Sequence, residues 1–265
     1  MATSKSENLG FHRAWENYRD LLLVLVEKEM QVRYRNKALG YLWSIANPLA
    51  NAFVFYVAFK IMMRVRVEDY TLVLMTGIFP WQFFSNCVNS APRIFAGNAS
   101  LIKKVRFPKN ILPLSMILNH MIHFLLSVPV IVVLLLFFHQ SVSWSWIYGI
   151  PLLGTVTLIM VYGISLLVGT LNLFLRDLER LTAILIQFAF YLTPIVYTEE
   201  MIPPEYKHLI YYSPVAPLMI SWRRLFLYGT IDFKYVLASL LYGLGFLIIG
   251  QWVYNKLSWK FGEVI

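Results

Sequence analysis

Five stretches of this sequence contain no Asp, Glu, Lys or Arg: residues 41–59, 71–92, 110–175, 181–198 and 235–255. An α-helix rises 1.5 Å per residue, so about 20 apolar residues cross the roughly 30 Å hydrocarbon core of a bilayer. The third stretch is long enough for two crossings, divided at its one polar segment, 139–145. Lipid offers an unpaired backbone group nothing to bond, so spans of this kind must be helices. The chain reads as an all-α integral membrane protein. Its 14% charged content supports this, because soluble domains carry about 25%.

Six transmembrane helices are expected, near 41–62, 71–92, 111–138, 146–174, 183–197 and 236–254. With the N-terminus inside, sixteen of the 23 Lys and Arg residues flank the spans on the inner side and seven on the outer side. By the positive-inside rule both termini are then cytoplasmic. The same placement explains the net charge of +9, and no basic recognition face or motif suggests nucleic acid. Residues 1–19 are polar, with no apolar run of the signal-peptide type. Cys87 is the single cysteine, so no intrachain disulfide is expected.

Two segments lie outside the span pattern. In 14–36, Trp15, Tyr18, Leu22, Leu25 and Val26 recur at helical spacing ahead of Glu27, Lys28, Glu29, Arg33 and Arg35. That pattern suits an amphipathic helix in the headgroup plane, or one packed on a soluble partner. Between the fifth and sixth spans, 199–234 mixes apolar pieces with Pro203, Pro204, Pro214 and Pro217. Its apolar run 209–222 is too short and too broken to cross. Short re-entrant helices at the outer face are expected, the alternative being an amphipathic surface loop.

Chemistry is sparse. Ion-driven transporters place ionisable side chains inside the membrane, and these spans hold no carboxylate and, apart from Lys60 at the outer end of the first, no Lys or Arg. His120 and His123, beside Asn119, share a helix face, but no carboxylate or thiolate completes a metal site, so no metal is expected. Interhelical hydrogen bonding is the plainer role for them. An envelope-biosynthesis enzyme embedded in the membrane would need paired loop carboxylates or phosphate clamps. Glu199 and Glu200 are adjacent and diverge, while Asp177 and Glu179 sit between Arg176 and Arg180. No G-x-x-x-x-G-K-[ST] loop is present, so ATP would be handled by another chain. The loop 93–110 carries five basic residues and no acidic one, interleaved with Ile94, Phe95, Leu101, Ile102, Val105 and Phe107. Charge alone would satisfy the positive-inside rule. The apolar spacing adds a short helix presented to a cytoplasmic protein.

Several motifs then carry a family resemblance. In order they are Leu39-Gly40-Tyr41-Leu42-Trp43 with Asn47-Pro48, and Gly77-Ile78-Phe79-Pro80-Trp81 with Phe83-Phe84. Next are Asn98 with Leu101-Ile102-Lys103-Lys104-Val105, Phe107-Pro108 and Leu112-Pro113. Last are Leu173-Phe174 with Arg176-Asp177, and Thr193-Pro194-Ile195-Val196-Tyr197 with Pro203. Together they resemble the membrane subunit of ABC-2 type exporters, in the branch that exports O-antigen, capsule or teichoic-acid polymers. The resemblance implies a cytoplasmic segment 1–38 with the amphipathic helix and an ABC-2 transmembrane domain over 39–265. It implies a homodimer in the bacterial inner or plasma membrane, two ATP-binding-cassette ATPase subunits, and a lipid-linked glycan as substrate. This chain would bind no cofactor, ATP and Mg belonging to the ATPase. Lys103, Lys104, Arg106, Phe107 and Pro108 would form the coupling helix, and Glu27, Arg33 and Arg35 would belong to the interface helix. Pro203, Tyr211, Tyr212 and Pro214 would form an outer gate, where Ser213-Pro214 stands in place of the family's usual Asn-Pro.

Cargo is expected to meet aromatic rings, since they stack on the apolar faces of sugars. Trp43, Tyr56, Phe190, Tyr191 and Tyr197, on the first and fifth spans, are the expected conduit residues. Interfacial aromatic belts are the ordinary alternative for such residues. A permease for drugs or small lipids would share every other feature.

Overall fold

The computed structural model describes residues 18–31, 43–62, 64 and 69–264. Among these residues there is no β-strand. Helix α1 covers 18–31, and α2 covers Trp43–Phe55 and runs on as a π-helical turn, Tyr56–Met62. Then follow α3 (Tyr70–Ser90), α4 (Ala99–Lys104), α5 (Ile111–Phe137) and α6 (Trp146–Asn172). The remainder is α7 (Leu178–Leu192), α8 (Ala216–Tyr228), α9 (Phe233–Leu257) and α10 (Phe261–Val264). Three helical stretches are long and apolar enough to cross a membrane: α5, α6, and α9 with its continuation to Val264.

The turn expected at 139–145 is present. His139 takes a left-handed φ of 59°, and the Gln140 N–H reaches back to the Leu135 carbonyl at 2.8 Å, closing α5. The helix expected at 183–197 is shifted. Thr193 precedes Pro194, and the proline ring pushes it to extended geometry (φ −93°, ψ 137°), so α7 stops at Leu192. At the other end α7 reaches back to Leu178, with Glu179 in a first turn that favours an acidic group. Its 15 residues rise about 22 Å, short of a full crossing.

Helices α6 and α9 form the tightest pair. A Cβ on Gly250 would overlap the carbonyl of Gly163, and one on Gly163 would overlap the α9 backbone at Phe246 and Leu247. In lipid, where apolar burial drives little, close packing of small residues is a main source of helix association. The small residues Ser165 and Gly169, one turn apart on α6, behave differently. Ser165 is buried, but Gly169 lies against the loop after α3, where a Cβ would stand 2.9 Å from the Ala91 carbonyl oxygen.

Helix α8 is no surface loop. Leu218, Trp222 and Leu225 are fully enclosed, and Phe226 is 1% exposed. The Trp222 indole donates to Thr157 Oγ1 of α6 at 3.1 Å and packs edge-on to Phe124 of α5 with ring centres 5.0 Å apart. From α6, the Trp146 indole donates to the Leu225 carbonyl at 2.9 Å. Gly229, at φ 63°, ends α8 in the left-handed geometry that glycine adopts most readily.

Candidate functional site: a basic loop, an aromatic and amide groove, and an arginine-held segment

The base of the loop after α3 is anchored before its charged part begins. Asn172 of α6 donates to the Pro92 carbonyl at 2.9 Å, and the enclosed Phe95 packs on Phe261 with ring centres 4.8 Å apart. From this base α4 projects. Ile102 faces inward, while Lys103, Lys104, Arg106 and Pro108 are exposed and Phe107 is half-buried. Val105 takes extended geometry and ends the helix. Arg93 pairs with Glu179, holding that carboxyl below its ordinary range and tying the loop to the start of α7.

Helix α1 meets the same loop. Leu25 is buried, and Tyr18, Leu21 and Leu22 pack on the core, while Leu23, Val24 and Glu27 are exposed. Glu27 accepts from Gln31 at 3.1 Å. The ammonium of Lys28 donates to Asn98 Oδ1 at 2.8 Å, and Asn98 Nδ2 donates to the Ile94 carbonyl at 2.9 Å. A buried asparagine just before α4 thus joins α1 to the loop. Arg33 and Arg35 lie outside the described residues.

Between α2, α3 and α7 lies a groove of about 510 Å³. Phe190 is central to it, with ring centres 5.5 Å from Phe55 and 5.7 Å from Trp81, and Tyr191 is edge-on to Phe190 at 5.2 Å. Tyr191 is 61% exposed. Asn51, Gln82, Ser85 and Asn86 complete the lining with amides and a hydroxyl. Of the expected conduit aromatics, the structure brings together Phe190 and Tyr191. Tyr56 is half-buried on the neighbouring core, and the Trp43 side chain lies outside the described residues. Tyr197 turns back on α7, its hydroxyl 3.2 Å from the Leu192 carbonyl. Sequence reasoning passed over Trp81, Gln82 and Asn86 as site residues. The signal was the four-residue spacing of Gln82 and Asn86 in a charge-free span, which puts both amides on one helix face.

The segment after α7 is held by two consecutive arginines. Arg223, 5% exposed, sends Nη2 to the Ile195 carbonyl at 2.5 Å and Nη1 to the Tyr197 carbonyl at 2.9 Å. Between them the Val196 carbonyl accepts from the Tyr70 hydroxyl at 2.8 Å. Arg224 points the other way, pairing with Glu199 and, at 3.0 Å, with Asp232. Further out, Pro203 precedes the 3-10 turn Pro204–Tyr212. Tyr211 stacks on Tyr235 with ring centres 5.4 Å apart, and Tyr212 is exposed with His208 edge-on at 6.2 Å. Ser213 Oγ accepts from the Ala216 N–H at 3.2 Å, and Pro214 lies between it and the start of α8. Serine here supplies the side-chain acceptor that an asparagine would offer.

The two histidines face helices rather than solvent. His120 and His123 are both buried, and His120 Nε2 lies 3.2 Å from Ser90 Oγ of α3. Among the described residues, no cluster of three or more His, Cys, Asp or Glu forms a metal-binding set.

Residues 20–227 match the family described as ABC-2 type transporter. The chain is 43% identical over 248 residues to an O-antigen export system permease protein, RfbA, of Klebsiella pneumoniae, covering 93% of this chain and 95% of that one. It is 29% identical to the protein of the same name from Myxococcus xanthus, over 79% of this chain and 81% of that one. Identity to the polysialic acid transport protein KpsM of Escherichia coli is 22%, over 71% of this chain and 74% of that one. The apolar helices and these matches converge: the chain is a multi-pass membrane protein belonging to the ABC-2 type transporter family.

Proposed function

We propose that this chain is the permease subunit of an ATP-binding-cassette exporter that moves a lipid-linked polysaccharide outward across the inner membrane. The observation that carries the reading is the 43% identity to an O-antigen export permease over nearly the whole of both chains. The groove of aromatic rings and amides between α2, α3 and α7 supports it, because sugars present apolar faces to rings and hydroxyls to amides.

In this reading the protein has six spans with both termini inside, and α8 is a re-entrant helix of the outer half. A separate ATPase binds ATP and Mg, and its stroke reaches the membrane through α4. Lys103, Lys104, Arg106 and Phe107 are the contact surface, with Pro108 ending it. The link from Lys28 to Asn98 makes α1, with Glu27, part of the same docking face. Two copies of the chain meet about a two-fold axis, each bringing one groove to a shared conduit. A continuous conduit suits a polymer longer than the membrane is thick. Pro203, Tyr211, Tyr212 and Pro214 border its outer end.

The test is complementation. Cells lacking the chain should accumulate polysaccharide inside and show none at the surface, and the intact gene should restore it. Phe190→Ala and Tyr191→Ala should lower surface polysaccharide while leaving membrane insertion and ATPase association intact. Normal surface polysaccharide in the deletion, with loss of resistance to a hydrophobic drug instead, would assign the chain to small-molecule export.

A further inference from the structure

From the chemistry of the groove between α2, α3 and α7 we infer that it is a saccharide-binding rung selective for uncharged polymer over anionic polymer. The inference rests on the polysaccharide-permease reading and narrows it to a class of cargo.

Three observations carry it. The first is the pairing of group types. Gln82 and Asn86 lie four residues apart on one face of α3, Asn51 faces them from α2, and the rings of Phe55, Trp81 and Phe190 lie beside them. Each amide offers donors and an acceptor together. Sugar hydroxyls likewise donate and accept, so amides match them in either sense, and the rings take the apolar face of the pyranose. The second is size. A volume of about 510 Å³ falls within the roughly 300–1,000 Å³ typical of small-molecule sites, enough to grip a short length of glycan.

The third observation is that, among the described residues, no cation lines the groove. Residues 41–59, 71–92 and 181–198, which contain every residue lining the groove, include no Lys and no Arg. A carboxylate or phosphate on each repeat would shed water here and find only neutral dipoles. Unpaired anions pay heavily for such transfer, and proteins that hold them supply Arg or Lys. Nearby arginines do not serve. Arg223 is committed to the Ile195 and Tyr197 carbonyls, and Arg224 to Glu199 and Asp232. The rung is thus built for neutral sugars, unlike cargo of the polysialic acid kind.

The test uses the whole exporter. The chain and its partner ATPase are expressed in cells lacking their own permease. The cells are supplied in turn with polymannose and with polysialic acid built on one lipid carrier, and surface polymer is measured on intact cells. Polymannose should reach the surface, and polysialic acid should be lower by about tenfold or more. Gln82→Leu and Asn86→Leu should each lower polymannose export about fivefold, with Asn86→Gln near wild type. Asn86→Lys should raise polysialic acid at the surface. Equal export of the two polymers by the wild-type chain would overturn the inference and leave the permease reading standing. Export of neither would overturn the permease reading itself. Leucine variants that export normally, or an Asn86→Lys variant that changes nothing, would remove the groove as the selective element.

Discussion

Replacing Arg223 with methionine removes the donors that hold the segment after α7. The guanidinium bonds the carbonyls of Ile195 at 2.5 Å and Tyr197 at 2.9 Å, and it is 5% exposed, so water cannot readily substitute. A buried acceptor left unpaired costs about 1–3 kcal/mol, so two cost about 2–6 kcal/mol. Removing a desolvated charge returns part of that. The net loss should sit near the lower bound, at about 2 kcal/mol. Arg223→Lys keeps the charge but offers a point donor, which reaches one carbonyl rather than two, so its loss should be smaller. Gly77→Ala strikes the same clamp, since its Cβ would lie 2.7 Å from both Arg223 Nη2 and the Ile195 carbonyl oxygen. Combined with Arg223→Met, its effect should be less than additive. Stability is read from SDS-induced unfolding followed by helical circular dichroism. Local release is read from thiol labelling of Thr198→Cys, a buried position, in a Cys87→Ser background. Arg223→Met stability within about 0.5 kcal/mol of wild type, with Thr198→Cys still protected, would refute the clamp.

Three further outcomes are expected. In a Cys87→Ser background, Ser100→Cys should resist impermeant thiol reagents in intact cells and Ser141→Cys should react, both positions being exposed; the reverse would invert the topology. Reversing Lys103, Lys104 and Arg106 to Glu should weaken ATPase co-purification while the chain still inserts, and unchanged co-purification would exclude α4 as the docking element. Gly250→Val should destabilise the α6–α9 pair by about 1–3 kcal/mol, checked by the same SDS titration, whereas Gly245→Val, with nothing near its Cβ position, should not.

What was legible in the sequence is what local chemistry determines. Helices α5 and α6 begin and end within two residues of expectation, because the polar segment between them and the flanking charges leave the backbone little choice. The end of α7 was legible too, in Thr193-Pro194, but the charge-free run extends past the proline and masked it. Arg223 was not legible. Beside Arg224 it looks like half of a solvated basic pair, and its acceptors lie 28 and 26 residues away. Gln82 and Asn86 stood in plain view, but spacing shows only that they share a face, not that the face borders a groove. Small residues carry the same ambiguity: Gly169 signals close approach without saying whether a helix or a loop arrives.

The contact of Gly163 with Gly250 leaves no side chain between two backbones, so nothing soft separates α6 from α9. One cannot tilt without carrying the other. The loop base at Ala91 rests on Gly169 of that same α6, again backbone to small residue. A push delivered to α4 therefore meets a post with no give on this side. On the other side, α7 meets α2 and α3 through the ring of Phe190, and rings can slide and rotate against one another. In the proposed coupling, force applied at the loop should divide unequally, the post holding still and the wall that carries Phe190 yielding.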